Sequence, residues 1–390
     1  GTGFDQERHK SGGAMKHLAV VVVAVCAVQL SSGQFATVVQ DFAVSDVTGA
    51  PVYRPRVAVH PVDGSFALSW GDERYGASSA GRLAGIGDIM AARFSGSGTA
   101  TTQNFKVGNI AFGFFSDFSL YDSSPLILPS GVLVVAYHVD ARTTIESIKF
   151  DDAYFSAYGT DGSAQIVDRQ LNRVNNSGSG YAYMPEATQF GTDVLVVYRY
   201  YVNELYHIGA TVVSGTTGAL LGNAAVIDDA SSGNRAAPSA ASNGARTIVA
   251  WSDTREDARG DIYLQRFTGS QANGGNLKAN TDAVGNYNQF PRAAMNPAGQ
   301  GVVVWIDTRA HPGGDLYAQR YDASGNPVGG NLKLTASQSV FLEYAPGVAM
   351  DGQGNFVVAW SDSLPGAQWS AKTRAFDASG NPLGSITELS

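Results

Sequence analysis

Five charged residues carry the chemistry this sequence has to offer. Arg54, Arg56, Glu186, Arg292 and Glu343 each lie within three residues of a proline that recurs along the chain. Guanidinium groups bind carboxylates through paired hydrogen bonds. Arg54, Arg56 and Arg292 therefore form a candidate carboxylate clamp, with Glu186 and a tyrosine placed for acid–base or nucleophilic work. Aromatic residues crowd the same segments: Tyr53, Tyr183, Tyr287, Phe290 and Tyr344. Such rings stack on sugar faces or on peptide side chains. The plain alternative is that the rings plug gaps between structural units and the charges are solvated. The six histidines are dispersed and form no H-x-x-x-H or H-E-x-x-H pattern, and the acidic turns lack the density of a calcium loop. No metal or cofactor is expected.

These residues are positioned by an internal repeat. An apolar run ending in an aromatic anchor recurs at Trp70, Tyr137, Tyr198, Trp251, Trp305 and Trp360, in steps of 67, 61, 53, 54 and 55 residues. A proline precedes each anchor: Pro55, Pro125, Pro185, Pro238, Pro291 and Pro346, at offsets of 15, 12, 13, 13, 14 and 14. Each unit reads as four strands. A short one follows the proline, a buried one ends at the anchor, an alternating one follows (Asp315 to Tyr321), and a last one closes the unit (Asn331 to Leu334). Gly, Asn, Asp and Pro between them supply the backbone angles that tight turns need. Glycine is 46 of 390 residues, well above the usual ~7%, as many turns require. Four strands in about 50 residues, repeated, predict an all-β fold: a six-bladed β-propeller with four-stranded antiparallel blades. The predicted blades run approximately 47–109, 110–171, 172–229, 230–281, 282–336 and 337–390, within one domain over 34–390. Closure has two candidate strands, Asp41 to Asp46 and Ser385 to Ser390.

The repeat also sorts its own polar residues. Asp and Arg recur in a W-x-D-x-R element (Asp72/Arg74, Asp253/Arg255, Asp307/Arg309), and an acid opens the third strand at Asp88, Asp152, Glu204, Asp261 and Asp315. Arg93, Arg266 and Arg320 recur within that strand. A reactive site needs one special constellation, so repetition argues for blade staples. The loops after the second and fourth strands are long and varied, notably 73–87 and 109–124, which points to their face as the functional one.

Residues 1–33 are set apart as an upstream extension and signal peptide. Met15-Lys16-His17 is followed by an apolar run, Leu18 to Val28, and then by small polar residues, the layout of a secretory signal. Eleven apolar residues fall short of the ~20 that span a bilayer. Export is expected, with cleavage after Ala27 or Gly33, and no membrane span afterwards. The net charge of −8 argues against a nucleic-acid partner, and the single cysteine excludes a disulfide framework.

The strings VVAWSDTR…DIYLQRF and VVVWIDTR…DLYAQRYDASGNPVGGN resemble repeats of large secreted bacterial proteins. That resemblance covers about residues 40–390 and implies an extracellular propeller, in some cases an adhesion module, with no catalytic residues to carry over. The six-blade count also resembles sialidases, though their S-x-D-x-G-x-T-W box is absent. The expected function is a secreted binding or adhesion propeller that recognises a glycan or an extracellular protein through aromatic loops. The alternatives are a sialidase-like glycoside hydrolase or polysaccharide lyase, and a self-assembling structural subunit.

Overall fold

The structure is a computed structural model that describes residues 44–46, 52–72, 88–108, 115–143, 149–171, 181–222, 225–335, 345–363 and 370–389. The described residues form six antiparallel sheets with strands in simple meander order, the blades of a six-bladed propeller, and no helix. Blade 1 holds β1 (Val52–Val59), β2 (Phe66–Asp72), β3 (Asp88–Phe94) and β4 (Phe105–Val107). Blade 2 holds β5 (Phe115–Ile127), β6 (Leu133–Thr143), β7 (Lys149–Tyr158) and β8 (Ala164–Gln170). Blade 3 follows with β9 (Tyr181–Phe190), β10 (Asp193–Val202), β11 (Leu205–Val213) and β12 (Ala225–Val226). Blade 4 has β13 (Arg235–Ser242), β14 (Arg246–Asp253), β15 (Asp261–Thr268) and an outer edge in two short pieces, β16 (Gln271–Ala272) and β17 (Leu277–Lys278). Blade 5 has β18 (Asn288–Met295), β19 (Gly301–Asp307), β20 (Asp315–Tyr321) and β21 (Pro327–Lys333). Blade 6 has β22 (Gly347–Met350), β23 (Phe356–Asp362), β24 (Ser370–Phe376) and β25 (Thr387–Leu389). The proposed signal segment lies outside the described residues.

Two features of each blade explain its sequence. The second strand is apolar on both faces because both are covered by neighbouring blades. Val302, Val304 and Ile306 of β19 pack toward blade 6, while Val303 and Trp305 pack toward blade 4. The same division makes one hydrophobic cluster at each of the five interfaces between successive blades. A sixth cluster (Phe66, Leu68, Trp70, Met90, Ala92, Phe94) lies on the remaining face of blade 1 and is met by Val44. Asn104 holds that terminal segment through Nδ2 to the Val44 carbonyl, at 3.1 Å, and accepts from the Asp46 amide at 2.9 Å. Of the two closure candidates, the C-terminal one supplies β25, the outer strand of blade 6, and residues 44–46 of the N-terminal one dock on blade 1.

The anchors are fixed by hydrogen bonds as well as burial. In four blades the indole Nε1 donates to the carboxylate two residues on: Trp70 to Asp72, Trp251 to Asp253, Trp305 to Asp307 and Trp360 to Asp362, at 2.9–3.1 Å. Where Tyr replaces Trp, the phenol finds other partners: Asp168 for Tyr137 and Thr211 for Tyr198. Arg255 and Arg309 complete the W-x-D-x-R staple, each binding its Asp through Nε and Nη2 at 2.6–2.9 Å.

The other recurring arginines differ from the expected acid pairing. Arg93, Arg266 and Arg320 donate to turn carbonyls of the next blade, Gly131, Gly325 and Ala378, at 2.6–3.0 Å. They tie blade to blade rather than strand to strand. Glu204 is likewise corrected. With Asn203 it forms the two-residue β10–β11 turn at positive φ, and His207, paired with Asp228, takes the third-strand position.

Candidate functional site

In four of the six blades the recurring proline lies inside the innermost strand and marks a β-bulge; Pro346 directly precedes β22. In blades 1, 3, 4 and 5 the residue before it and the proline itself together face the single aromatic anchor. The first bulge residue has a positive φ: Arg54 (51°), Met184 (52°), Ala237 (51°) and Phe290 (56°). Proline suits the second place because the bulge leaves it out of the backbone ladder. Blade 2 corrects the sequence reading. Its bulge is Asp122 (φ 40°) with Ser123, so Ser123 holds the proline's place, and Pro125 lies two residues on in regular pairing with Val135. Residues 115–124, expected in a loop insertion, belong to the long strand β5.

The bulges re-aim the next residue. Arg56, Ser124, Glu186, Ser239, Arg292 and Gly347 all pair opposite the residue before the anchor, one from each blade. These six equivalent positions, on the innermost strands, make a ring about the propeller axis. Their side chains are Arg, Ser, Glu, Ser, Arg and Gly, so Glu186 is the one acid in the ring. Five strained non-glycine residues beside one ring is the pattern that functional sites show.

Three ring members meet. Glu186 Oε1 lies 3.5 Å from Arg56 Nη2 and 3.6 Å from Arg292 Nη1, so arginines of blades 1 and 5 converge on a carboxylate of blade 3. Ser124 Oγ donates to Glu186 Oε2 at 3.1 Å and accepts from the Ala187 amide at 2.9 Å, which orients the carboxylate. Arg54 pairs with Asp122 at 2.5 Å. The carboxylate clamp is thus filled by the protein's own acids. Arg292 is held down to about 10, first by burial and then by repulsion from Arg56, with Glu186 and Asp122 acting the other way. Its Nε is buried without a hydrogen-bond partner.

Beside Glu186, blade 3 presents an aromatic rim. Tyr181 and Tyr183 on β9 meet Tyr201 and Tyr206 on β10 and β11 with ring centroids 6.0–6.1 Å apart, and Tyr201 meets Tyr206 at 4.8 Å. His138 of blade 2 sits edge-on to Tyr183 at 5.1 Å. Arg199 lies over the Tyr206 ring, its Cζ 3.5 Å from the centroid, and donates Nε–H to the Arg235 carbonyl at 3.0 Å.

The remaining candidates are placed as follows. Phe290 packs against the cluster between blades 5 and 6, a gap-filling ring. Tyr287 is exposed and lies under the Arg259 guanidinium, 5.2 Å from ring centroid to Cζ. The backbone of Tyr53 pairs with Gly71. Glu343, Tyr344 and loop 73–87 lie outside the described residues. Sequence reasoning missed Asp122, Ser124, His138, Arg199 and Tyr206. Aligning the six units on their anchors exposes Arg199, which follows Tyr198 where the other units carry Gly71, His138, Ser252, Ile306 and Ser361. No group of three or more His, Cys, Asp or Glu among the described residues is arranged to hold a metal ion.

No protein-family model matches the chain, and no curated protein matches it. Its fold is similar to solved structures. A protein of unknown function from Dyadobacter fermentans has 11% identity and a TM-score of 0.53, covering 84% of this chain and 94% of that one. An alpha-L-arabinanase from Penicillium chrysogenum has 14% identity and a TM-score of 0.53, covering 84% and 93%. A lectin from Burkholderia pseudomallei has 14% identity and a TM-score of 0.51, covering 86% and 84%. At such identities the likeness concerns the fold.

Proposed function

We propose that this chain is an exported glycan-binding propeller whose site is the axial mouth of the ring and the tyrosine rim beside it. The observation that carries the reading is the convergence of Arg56, Arg292 and Glu186, from three blades, at a non-repeating place next to partly exposed tyrosines. Arginine and carboxylate side chains offer directional hydrogen bonds to sugar hydroxyls, and tyrosine faces offer apolar contact to sugar rings. The lectin and arabinanase likeness supports a fold suited to carbohydrate. This reading puts the site on the innermost strands rather than on the long loops. A second reading, a glycoside hydrolase, is favoured by one observation: two carboxylates, Asp122 and Glu186, both act on Arg292.

The test is a glycan array probed with residues 34–390, followed by mass spectrometry of every bound glycan. Binding without cleavage is expected. Cleavage that is lost in Glu186→Gln would establish the hydrolase instead. Silence on every glycan would overturn both and direct attention to protein partners or self-assembly. Export is tested separately, by sequencing the N-terminus of protein recovered outside a bacterial cytoplasm. A start at Val28 or Gln34 is expected.

A further inference from the structure

We propose that the ligand is a carboxylate-bearing oligosaccharide and that Arg199 is the residue that reads its negative charge. This rests on the glycan-binding reading above. The ring arginines are the obvious anion receptors, but their positions are already taken. Arg56 and Arg292 share Glu186, and Arg54 holds Asp122. The blade arginines are also engaged: Arg235, Arg255 and Arg309 with buried aspartates, and Arg93, Arg266 and Arg320 with carbonyls.

Arg199 is different. It is half-buried, makes one hydrogen bond, to the Arg235 carbonyl, and has no carboxylate partner among the described residues. A half-buried cation without a counterion is costly, and burial draws its proton affinity down while Tyr206 and Tyr183 lift it. The tyrosine face beneath it offsets part of that cost. A planar guanidinium fork is suited to a bidentate carboxylate.

Charge at the mouth points the same way. Among the described residues, four arginines (54, 56, 199 and 292) stand against two carboxylates (122 and 186) at the ring and the tyrosine rim, in a chain whose net charge is −8. An acidic protein with a local positive excess steers anions to that place. Tyr183, three residues before Glu186, touches Tyr206 under Arg199, so the charged reader and the axial ring are continuous through one aromatic surface. A ligand that spans both is a chain of sugars rather than a single one.

The experiment is calorimetric titration of the exported protein with oligogalacturonates, with a sialylated oligosaccharide, and with the carboxyl-reduced or desialylated counterpart of each. The two acidic arms distinguish a uronate from a sialate source. An acidic ligand is expected to bind at least about tenfold more tightly than its neutral counterpart, and to weaken as salt is raised from low to physiological strength. Arg199→Gln is expected to abolish that preference, so that the acidic ligand and its neutral counterpart bind the variant with affinities within about twofold of each other. Equal affinity for the acidic and neutral forms, independent of salt, would overturn the proposal and leave the glycan reading standing. So would an Arg199→Gln protein with native near-UV circular dichroism and an intact acidic preference. Absence of binding by every sugar would overturn the glycan reading and this proposal together. The wild-type salt series and the reduced sugars decide the matter even if the variant misfolds.

Discussion

Glu186 is the residue on which the axial site turns. Its carboxylate stands between two arginines that would otherwise repel each other at the centre of the molecule. Glu186→Gln keeps the shape and the bond from Ser124 but removes the charge. It is expected to destabilise the fold by about 1–3 kcal/mol, because Arg292 keeps its burial and loses its counterion. The figure is below that of a fully buried pair because Arg56 is 35% exposed. The check is a denaturant melt of the single variant and of a double variant with Arg292→Met. Partial recovery in the double variant is the expected result, and an additive loss would show that the pair does not couple. A second residue-scale case is Trp305. Trp305→Phe strips the N–H that Asp307 and Asn288 accept and leaves a small cavity where the larger indole was buried. A loss of about 1–3 kcal/mol is expected, read from the melting midpoint.

At the scale of the element, the bulge is what converts a repeat into a site. One extra residue in the innermost strand turns the side chain after the proline toward the axis and leaves the preceding residue at positive φ. For an L-residue that conformation costs about 1–2 kcal/mol. Ala237→Gly, at φ 51° in blade 4, is therefore expected to raise stability by up to about 1 kcal/mol, the strain relieved exceeding the extra freedom of glycine in the unfolded chain. A fall in the denaturation midpoint would contradict the strain argument. The prolines were legible as a period but not as a bulge, because offset alone does not distinguish the start of a strand from a kink within it. Blade 2 shows the limit: Pro125 keeps the spacing roughly, yet the structural place belongs to Ser123, two residues earlier.

The whole molecule is a stack of blade interfaces with tyrosines buried between them. Burial raises the phenol groups of Tyr137, Tyr158, Tyr198 and Tyr321 above their ordinary value of 10.0. The folded state then holds these protons more tightly than the unfolded chain does. Their contribution is fully present below about pH 10 and is lost as pH rises through the folded values. Falling stability above about pH 10 is expected, with an absorbance titration at alkaline pH showing a delayed fraction of the 17 tyrosines that appears only on unfolding. Simultaneous titration of all of them in a native protein would refute this. The sequence by itself determined the sheet class, the number of blades, the anchors and the W-x-D-x-R staples, because each is a local pattern copied along the chain and physical periodicity survives in one dimension. It also brought Arg56, Glu186 and Arg292 forward as non-repeating charges beside the period marker. Tertiary structure alone decided that these three, 236 positions apart at the extremes, meet on one carboxylate. It also set Arg199 on a tyrosine face, without an acid partner among the described residues. Those facts depend on how the bulges aim side chains across the axis, and an axis shared by six blades exists only once the ring has formed.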